Sequence, residues 1–554
     1  MRATHIALIA LCLCAGGTLA QPSEDAEPDS MWDYPETIIR AEGAREMSVM
    51  AAAVPDLAAA PEPYRVIVRF PRTTDLGDAV ERLMATPVAQ LAGAPMVTAA
   101  TVTAASAGGG PTLGALGGVR VVKRLRGGGV RGVALELPAS IQPASAVAGL
   151  RLVEGVEDVE AEGVVTVALA QVSAAGVPRD APLGLLRTGL ATLEGGTLKV
   201  QPTVVDGGSV GVAIIDTGVD SGHPDISLAG GHDFTADGDF GLDGNGHGTH
   251  VAGIIGALNN GAGVVGALPG APIWSLKVLS AAGQGTTTSV IDALNWVADN
   301  GRARGIRVVN MSLSGPRSRM MCDALKAVTL QGITVVAAAG NNGLEITSGS
   351  PSDCSAALIV TGAAPHGARG GGSMAELDVR TRSQESHTVP PSATPPQSTP
   401  FQTLHPPPAM ADYDGRPGGK AQVPRGPGAP TTPDDATASF SNYALTRSTR
   451  VVCAPGVHVL STVPAARCGP LKCAKAGPYA YLSGTSMAAP LVSGMAALCY
   501  NAGPCAPARG SAAATLAAAF AAAARSDRGS GFAGDPLHGP TPRRYVGYLA
   551  RNVF

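Results

Sequence analysis

The sequence predicts an α/β domain with a mostly parallel sheet and helices on both faces, preceded by a small α+β unit. Four near-continuous apolar runs, at 210–216, 272–279, 306–313 and 333–340, are typical of parallel strands that are buried on both faces. Helical patterns lie between them at 287–300 and 318–331. Active residues are therefore expected at the carboxyl ends of the strands.

The small unit is predicted from the order of elements between 64 and 169. "YRVIVRF" at 64–70 alternates apolar and polar residues as a strand does, and a helix follows with Asp75 or Thr74 as its N-cap. Two further strands, a helix at 143–152 and the run "VEDVEAEGVVTVAL" complete the order β-α-β-β-α-β. That order indicates a ferredoxin-like unit.

The segments outside these two units have distinct compositions. Residues 1–20 have a basic start, a short apolar run and small residues before Ala20, which predicts a secretory signal peptide. An uncleaved anchor is the alternative, but an apolar run of about ten residues is too short to span a bilayer. Residues 21–62 are acidic and rich in Pro and Ala, as in a linker, and the Pro/Gly-rich run 366–437 predicts a disordered surface insertion.

Charge and cysteine content limit the function classes. A net charge of −3 gives no basic footprint for nucleic acid and no polybasic segment for a membrane surface. Of nine cysteines, seven remain after the signal peptide, so an odd one is expected outside the disulfides. The pairs 468/473 and 499/505 are close enough for local bridges, and a zinc site is the competing interpretation.

Three motifs place a carboxylate, an imidazole and a hydroxyl at strand or helix ends. Asp216 closes the strand in "VAIIDTGVD", His247 lies in "DGNGHGTHVAG", and Ser486 opens a helix in "SGTSMAAP". A serine nucleophile needs a base, and the base needs an anion that fixes its tautomer. Singly, each motif also fits a structural histidine or a helix cap.

Together, and in this order, the three motifs resemble those of the subtilisin-like serine proteases, or subtilases. The resemblance spans about residues 182–498, apart from the insertion, and "APLGLLR" at 181–187 is most similar to the proteinase-K branch. It implies a subtilisin-like three-layer domain in residues 173–554. Asp216 would be the orienting carboxylate, His247 the general base and Ser486 the nucleophile.

The resemblance also implies the groups around the triad. Asn341, which follows the Gly of "VVAAAGNNG", would be the oxyanion donor, and "MSLSG" would place Ser312, Leu313, Ser314 and Gly315 along the substrate peptide. Ser314 stands where the family commonly has Gly. The first unit, residues 63–172, resembles the family's inhibitor-like propeptide, with a segment near 165–176 that is cleaved in cis.

The expected protein is a secreted, monomeric serine endopeptidase that acts on peptides or proteins. The sequence does not distinguish an extracellular, cell-wall or vacuolar destination. No cofactor is expected for the chemistry, although acidic residues such as Asp220 and Asp225 could hold a structural calcium ion. His250 is expected to be a packed helix residue rather than a second base. The alternatives are a catalytically silent subtilase fold that serves as a scaffold, or an esterase, whose Ser-acid-His order differs from the Asp-His-Ser order of the three motifs.

Overall fold

The structure is a computed structural model that describes residues 63–91, 112–172, 185, 188–194, 197–200, 210–235, 237–364, 436–446, 448–474, 477–502, 505, 512–526 and 545–550. All of these belong to one unit, Leu57–Phe554. The predicted signal peptide and linker, and residues 366–435 of the predicted insertion, lie outside the described residues.

The small N-terminal unit has the predicted order of strands and helices. Its elements are β1 (Tyr64–Phe70), α1 (Leu76–Met84), α2 (Val88–Leu91), a 3-10 turn (Leu113–Ala115), β2 (Arg120–Leu125), β3 (Arg131–Leu137), α3 (Pro143–Leu150) and β4 (Asp158–Ala161). The strands form an antiparallel sheet in the order β2-β3-β1-β4. Asp75 is the N-cap of α1, because its side chain accepts from the N–H groups of Gly77 and Asp78.

The remaining strands and helices follow this unit and form the second part of the chain. The strands are β5 (Val164–Val167), β6 (Gln171–Val172), β7 (Ala191–Glu194), β8 (Thr197–Val200), β9 (Gly211–Asp216), β10 (Leu228–Asp233), β11 (Ile273–Lys277), β12 (Gln284–Thr286), β13 (Ile306–Met311), β14 (Leu313–Ser314), β15 (Thr334–Ala338), β16 (Leu358–Ala364), β17 (Ala436–Thr437), β18 (Val451–Pro455), β19 (Val459–Thr462), β20 (Tyr479–Ser483) and β21 (Tyr548–Leu549). The helices are α4 (His247–Gly256), α5 (Thr287–Asn300), α6 (Arg319–Leu330), α7 (Cys468–Leu471), α8 (Thr485–Ala502) and α9 (Ala512–Ser526). Among the described helices, none combines the length and apolarity that a membrane crossing needs.

A large parallel sheet with a core on each face forms the centre of the second part. Its strands run in the order β10-β11-β9-β13-β15-β16-β18-β21, and β17 pairs with β16 antiparallel. Val212 and Ile214 of β9 pack into a core that includes residues of α4, α8 and α9. Their neighbours Ala213 and Ile215 face the other core, with α5 and α6. The predicted α/β architecture with helices on both faces is confirmed.

The strand order brings the predicted functional loops to one edge. β9, β13 and β15 are parallel neighbours, so their carboxyl ends lie side by side. Asp216 ends β9, Ser312 follows β13, and Asn341 lies three residues after β15. The carboxyl edge of a parallel sheet is where the loops of α/β domains meet a ligand.

The structure differs from the sequence prediction at several short elements. β10 has the sequence "LAGGHD", whose glycines hide it from an apolar pattern, and the two-residue strands carry too little pattern to predict. The insertion was predicted to end at residue 437. Its last two residues instead form β17, where Thr437 pairs with Ala363, so residues 436 and 437 belong to the sheet.

Three disulfides use six of the seven cysteines in this part of the chain. They join Cys322 to Cys354, Cys468 to Cys473 and Cys499 to Cys505. The two local bridges are therefore those that the spacing allowed, whereas the bridge across 32 residues was not anticipated. A cluster of Cys322, Cys354 and Asp353 has metal-like geometry, but its two sulfurs are bonded to each other.

Candidate active site

Asp216 and His247 form a buried pair at the carboxyl end of β9. His247 Nδ1 lies 2.7 Å from Asp216 Oδ1, which also accepts the N–H of Thr217 at 2.8 Å. Both side chains are about 1% exposed. Because the carboxylate can only accept, Nδ1 carries the proton, and the lone pair of the imidazole lies on Nε2. Nε2 is buried and has no hydrogen-bond partner among the described residues.

The loop before His247 is held by a second buried carboxylate, Asp243. One oxygen of Asp243 accepts from the Thr217 hydroxyl at 2.9 Å and from the N–H of Gly246 at 2.8 Å. The other accepts the hydroxyl and the N–H of Thr249. Burial raises the pKa of Asp243, while these hydrogen bonds oppose that shift. Gly246, with φ of 101°, occupies the left-handed region, so α4 begins with His247 at a fixed angle.

Ser486 lies in the first turn of α8 and faces a segment of the same chain. Its Oγ is 2.5 Å from the carbonyl oxygen of Ala168 and 3.1 Å from that of Ser312. The structure thus brings Ser486 to a peptide carbonyl. It does not give Ser486 a hydrogen bond to Nε2 of His247, which is unpartnered.

Asn341 reaches the same carbonyl oxygen from the other side. Its Nδ2 donates to the oxygen of Ala168. Its Oδ1 accepts from the backbone N–H and the hydroxyl of Thr485, at 2.8 and 2.9 Å, so the amide is held with its donor end toward Ala168. A carbonyl that accepts from a fixed amide in this way is polarised at carbon and is a site for developing negative charge.

The segment before Ala168 lies as a strand between two others. β5 pairs antiparallel with β12 on one side and with β14 on the other, where Leu313 faces Val167 and Ser314 faces Thr166. The N–H of Ala168 donates to Ser312 O at 3.1 Å. Residues 312–314 therefore lie alongside an extended segment of the same chain, and their place along a substrate peptide stays a prediction.

Gly315 follows β14 and has its own backbone partner. Its N–H and carbonyl pair with Ser350 rather than with β5. An added Cβ would lie 3.0 Å from Val165 Cγ2, so the backbone of Gly315 lies close against β5. The sequence does not predict β12, the strand on the other side of β5, because "QGT" has no strand pattern.

Beyond Ala168 the chain continues along β20. The N–H of Ala170 donates to Ser483 O at 2.9 Å, and β6 pairs with β20. Gly484 also lies close to this segment: a Cβ there would lie 2.8 Å from the oxygen of Ala168. The absence of a side chain at 484 therefore makes room for the Ala168 carbonyl.

His250 has a structural environment. Its Nε2 lies 3.0 Å from Ala480 O and 3.1 Å from Val459 O, and the residue is fully buried. Desolvation lowers the pKa of His250 to about 3, so the ring is neutral at physiological pH. It joins α4 to β19 and β20 and does not contact Ser486 among the described hydrogen bonds.

The two acidic residues suggested for calcium, Asp220 and Asp225, accept hydrogen bonds within the chain. Asp225 Oδ1 accepts from Asn260 Nδ2 at 2.7 Å, and Oδ2 accepts from the Tyr479 hydroxyl at 2.8 Å. A Cβ on Gly263 would lie 2.2 Å from that Oδ2, so the loop packs against the carboxylate. Asp220 Oδ1 accepts the N–H of Gly222.

Comparison with known proteins gives one family. Residues 207–532 match the subtilase family, peptidase S8. Subtilisin DY from Bacillus licheniformis is 42% identical over 146 residues, which are 26% of this chain and 52% of that protein. Subtilisin Savinase from Lederbergia lenta is 45% identical over 138 residues, 25% of this chain and 49% of that protein. The chain thus spans about half the length of these curated relatives.

A solved structure, described as a cold adapted subtilisin-like serine proteinase, is 24% identical and aligns with a TM-score of 0.42 over 68% of this chain and 100% of that one. That alignment adds no argument to the family match. The relatives named are subtilisins, and the likeness of 181–187 to the proteinase-K branch stays a prediction.

Proposed function

The chain belongs to the subtilase family, and on that premise we propose that it is a secreted serine endopeptidase, made as a zymogen that cleaves itself. The single observation that carries the proposal is the position of the Ala168 carbonyl. Its oxygen accepts from both Ser486 Oγ and Asn341 Nδ2. The proposed roles are therefore nucleophile for Ser486, base for His247, orienting carboxylate for Asp216 and oxyanion donor for Asn341.

The proposed reaction begins with attack of Ser486 Oγ on the carbonyl carbon of Ala168. The hydroxyl must first turn from the two carbonyls that it faces toward Nε2 of His247, which takes its proton. Asp216 stabilises the resulting imidazolium through Nδ1–H. The Asn341 amide then donates a hydrogen bond to the oxyanion, and the backbone N–H of Ser486 is the second donor expected from the family.

Collapse of this intermediate breaks the bond between Ala168 and Leu169. His247 returns the proton to the nitrogen of Leu169, and the acyl group stays on Ser486 as an ester. A water molecule, deprotonated by His247, then hydrolyses the ester and frees the carboxylate of Ala168. The family needs no cofactor for this chemistry.

The contacts of the small unit support its role as an intramolecular inhibitor. Glu160 accepts from the Ser318 hydroxyl at 2.8 Å and from the N–H of Arg319 at 3.0 Å, so it caps the N-terminus of α6. Asn295 on α5 exchanges two 2.8 Å hydrogen bonds with the backbone of Val130. Together with β5 in the cleft, these contacts would keep the first unit in place until it is cleaved.

The peptide in the cleft indicates which side chains the proposed enzyme takes. Val165 is fully buried and Ala168 is 5% exposed, whereas Val164 is 60% exposed. The cleft therefore surrounds the side chains at 165 and 168 more closely than the one at 164. Peptide or protein substrates that present small or aliphatic residues at these two positions fit the same arrangement.

Secretion is proposed from the predicted signal peptide and supported by the three disulfides. Disulfides persist in oxidising compartments and are rare in reducing ones. The monomeric state and the destination after export stay predictions.

A fluorophosphonate probe, which modifies an activated serine, tests the proposal. Wild type freed of its first unit should be labelled, Ser486→Ala should not, and Ser483→Ala should still react because Ser483 Oγ accepts from the N–H of His458 instead. Labelling of Ser486→Ala equal to wild type would overturn the assignment of the nucleophile. A correctly folded wild type that stays unlabelled after removal of the first unit would favour the silent scaffold.

A further inference from the structure

The helix that carries Ser486 has a gap in its hydrogen bonding. In an α-helix the carbonyl of residue i accepts from the N–H of residue i+4. For Ser486 that residue is Pro490, which lies inside α8 and has no N–H. Ser486 is fully buried, so its carbonyl is out of contact with bulk solvent.

A side chain from the neighbouring strand end supplies a donor. Ser312 Oγ donates to the carbonyl oxygen of Ser486 at 3.0 Å. Ser312 Oγ in turn accepts from Asn310 Nδ2 at 2.9 Å. Ser493, two turns further along α8, has its hydroxyl oxygen 2.9 Å from Asn310 Oδ1 and 3.1 Å from the carbonyl oxygen of Ala489, so the shorter contact is the donation to Asn310.

These contacts form a chain of hydrogen bonds that leaves α8 and returns to it. It runs from Ser493 through Asn310 of β13 and Ser312 to Ser486, and all four residues are fully buried. The direction is fixed, because the Asn310 carbonyl accepts at one end of the amide while its NH₂ donates at the other. Buried chains of this kind strengthen each member and hold a single geometry.

Ser312 links this chain to the peptide. Its side chain holds the backbone of Ser486, while its backbone carbonyl lies 3.1 Å both from the Ser486 Oγ and from the N–H of Ala168. One residue therefore sets the distance between the proposed nucleophile and the peptide that it attacks. A misplacement of about 1 Å at such a point costs on the order of 10²-fold in rate.

We propose that Asn310 and Ser493 are positioning residues for the nucleophile, acting through the Ser312 hydroxyl on the carbonyl that Pro490 leaves without a helical donor. This inference rests on the proposed function. It predicts that the side chains of Asn310 and Ser493 affect the chemical step without contacting substrate.

Two variants interrupt this chain of hydrogen bonds at different points. Ser493→Ala removes its first donor and leaves only a small space. Asn310→Asp keeps the shape of the side chain but replaces the Nδ2 donor with an acceptor, so the Ser312 hydroxyl turns toward it and away from Ser486. Ser352→Ala is the matched control, because Ser352 is a buried serine that donates to backbone carbonyls, of Ile346 and Gly349, outside the site.

The experiment uses the full chain after self-processing, with active sites counted by titration. It measures kcat and KM on a peptide and the rate of inactivation by a fluorophosphonate. We expect Asn310→Asp to lower kcat and the inactivation rate by about tenfold or more, and Ser493→Ala by about threefold, with KM within about twofold. The double variant should be no slower than Asn310→Asp alone, because both changes break one chain.

The control separates positioning from stability. Ser352→Ala should lower the melting temperature about as much as Ser493→Ala and leave kcat unchanged. Wild-type kcat in Ser493→Ala, or a loss confined to KM, would overturn the inference. If Asn310→Asp does not fold, Ser493→Ala and its control still decide. Failure of the proposed function would instead appear as labelling that persists in Ser486→Ala.

Discussion

Ser486 Oγ donates a hydrogen bond to the carbonyl oxygen of Ala168, 2.5 Å away and 318 residues earlier in the chain. The proposed nucleophile is thus in contact with a peptide bond of its own polypeptide. The same oxygen accepts from Asn341, and the flanking backbone is paired on both sides of the cleft. This contact is the basis of the proposal that the chain cleaves itself.

Replacing the Asn341 amide should slow the chemical step. Asn341→Ala removes the Nδ2 donor from the Ala168 carbonyl and should lower kcat by about 10²–10³, the loss known for a single oxyanion donor in a member of this family. KM should change little, because the donor binds the oxyanion more strongly than the ground-state carbonyl. Steady-state kinetics on a peptide measure both values, and a kcat within threefold of wild type would contradict the role.

Adding one methyl group at Gly484 should block the cleft. In Gly484→Ala the new Cβ would lie 2.8 Å from the oxygen of Ala168, closer than the atoms can pack. We expect kcat/KM to fall on the order of 10²-fold, because the carbonyl must move away from its donors. Gly469→Ala is the control, since nothing lies within 4 Å of its Cβ. Equal activity of the two variants would show that the clearance at 484 is unimportant.

The pH dependence of stability should depend on Glu160. Desolvation raises the pKa of Glu160 above the ordinary value of 4.5 for a glutamate, while hydrogen bonds from Ser318, Met320 and Arg319 oppose the shift and Asp158 adds to it. A carboxyl with a raised pKa takes up a proton on folding. Its contribution is therefore fully present below about pH 4.5 and is lost as the pH rises through the raised pKa.

The direction of this pH dependence can be measured with the uncleaved Ser486→Ala chain as the parent protein. Adding Glu160→Gln should increase stability at neutral pH relative to acid pH, because the buried charge is gone while an acceptor oxygen remains. Melting temperatures between pH 4.5 and 7.5 give the difference between parent and variant, in which the other buried carboxyls cancel. A difference that is constant with pH, or of opposite slope, would refute the assignment.

The disulfides should differ in their contribution to stability. Cys322–Cys354 closes a loop across 32 residues and Cys468–Cys473 one across five. Chain entropy alone makes removal of the longer loop more costly, by about 1.6 kcal/mol. Denaturant unfolding of the two paired Cys→Ala variants compares them, and a larger loss for the 468/473 pair would contradict the loop-length argument.

Much of the fold followed from the sequence because its strong patterns are local. The apolar strand around Asp216 and the amphipathic α5 have enough length for their periodicity to be decisive. The pairing of β5 between β12 and β14 could not be predicted, since these strands have two to four residues each. Their order depends on tertiary contacts.

The site was predicted less completely than the fold. The residue types that perform the proposed chemistry stand in recognisable motifs, whereas the supporting residues do not. Asp243 precedes "GNGHGTH" and could have been noted as a loop anchor, but its five donors become visible only in the structure. The link between Ser493 and Asn310 spans 183 residues and has no sequence signal.

The most direct test of the whole account is the N-terminal sequence of the first cleavage product released on expression. Wild type should give a product that begins at Leu169 with "LAQVS", and Ser486→Ala should remain uncleaved at that bond. Cleavage between Ala168 and Leu169 in Ser486→Ala at the wild-type rate, or a wild-type chain that is fully folded yet intact, would contradict the claim that Ser486 cuts its own chain.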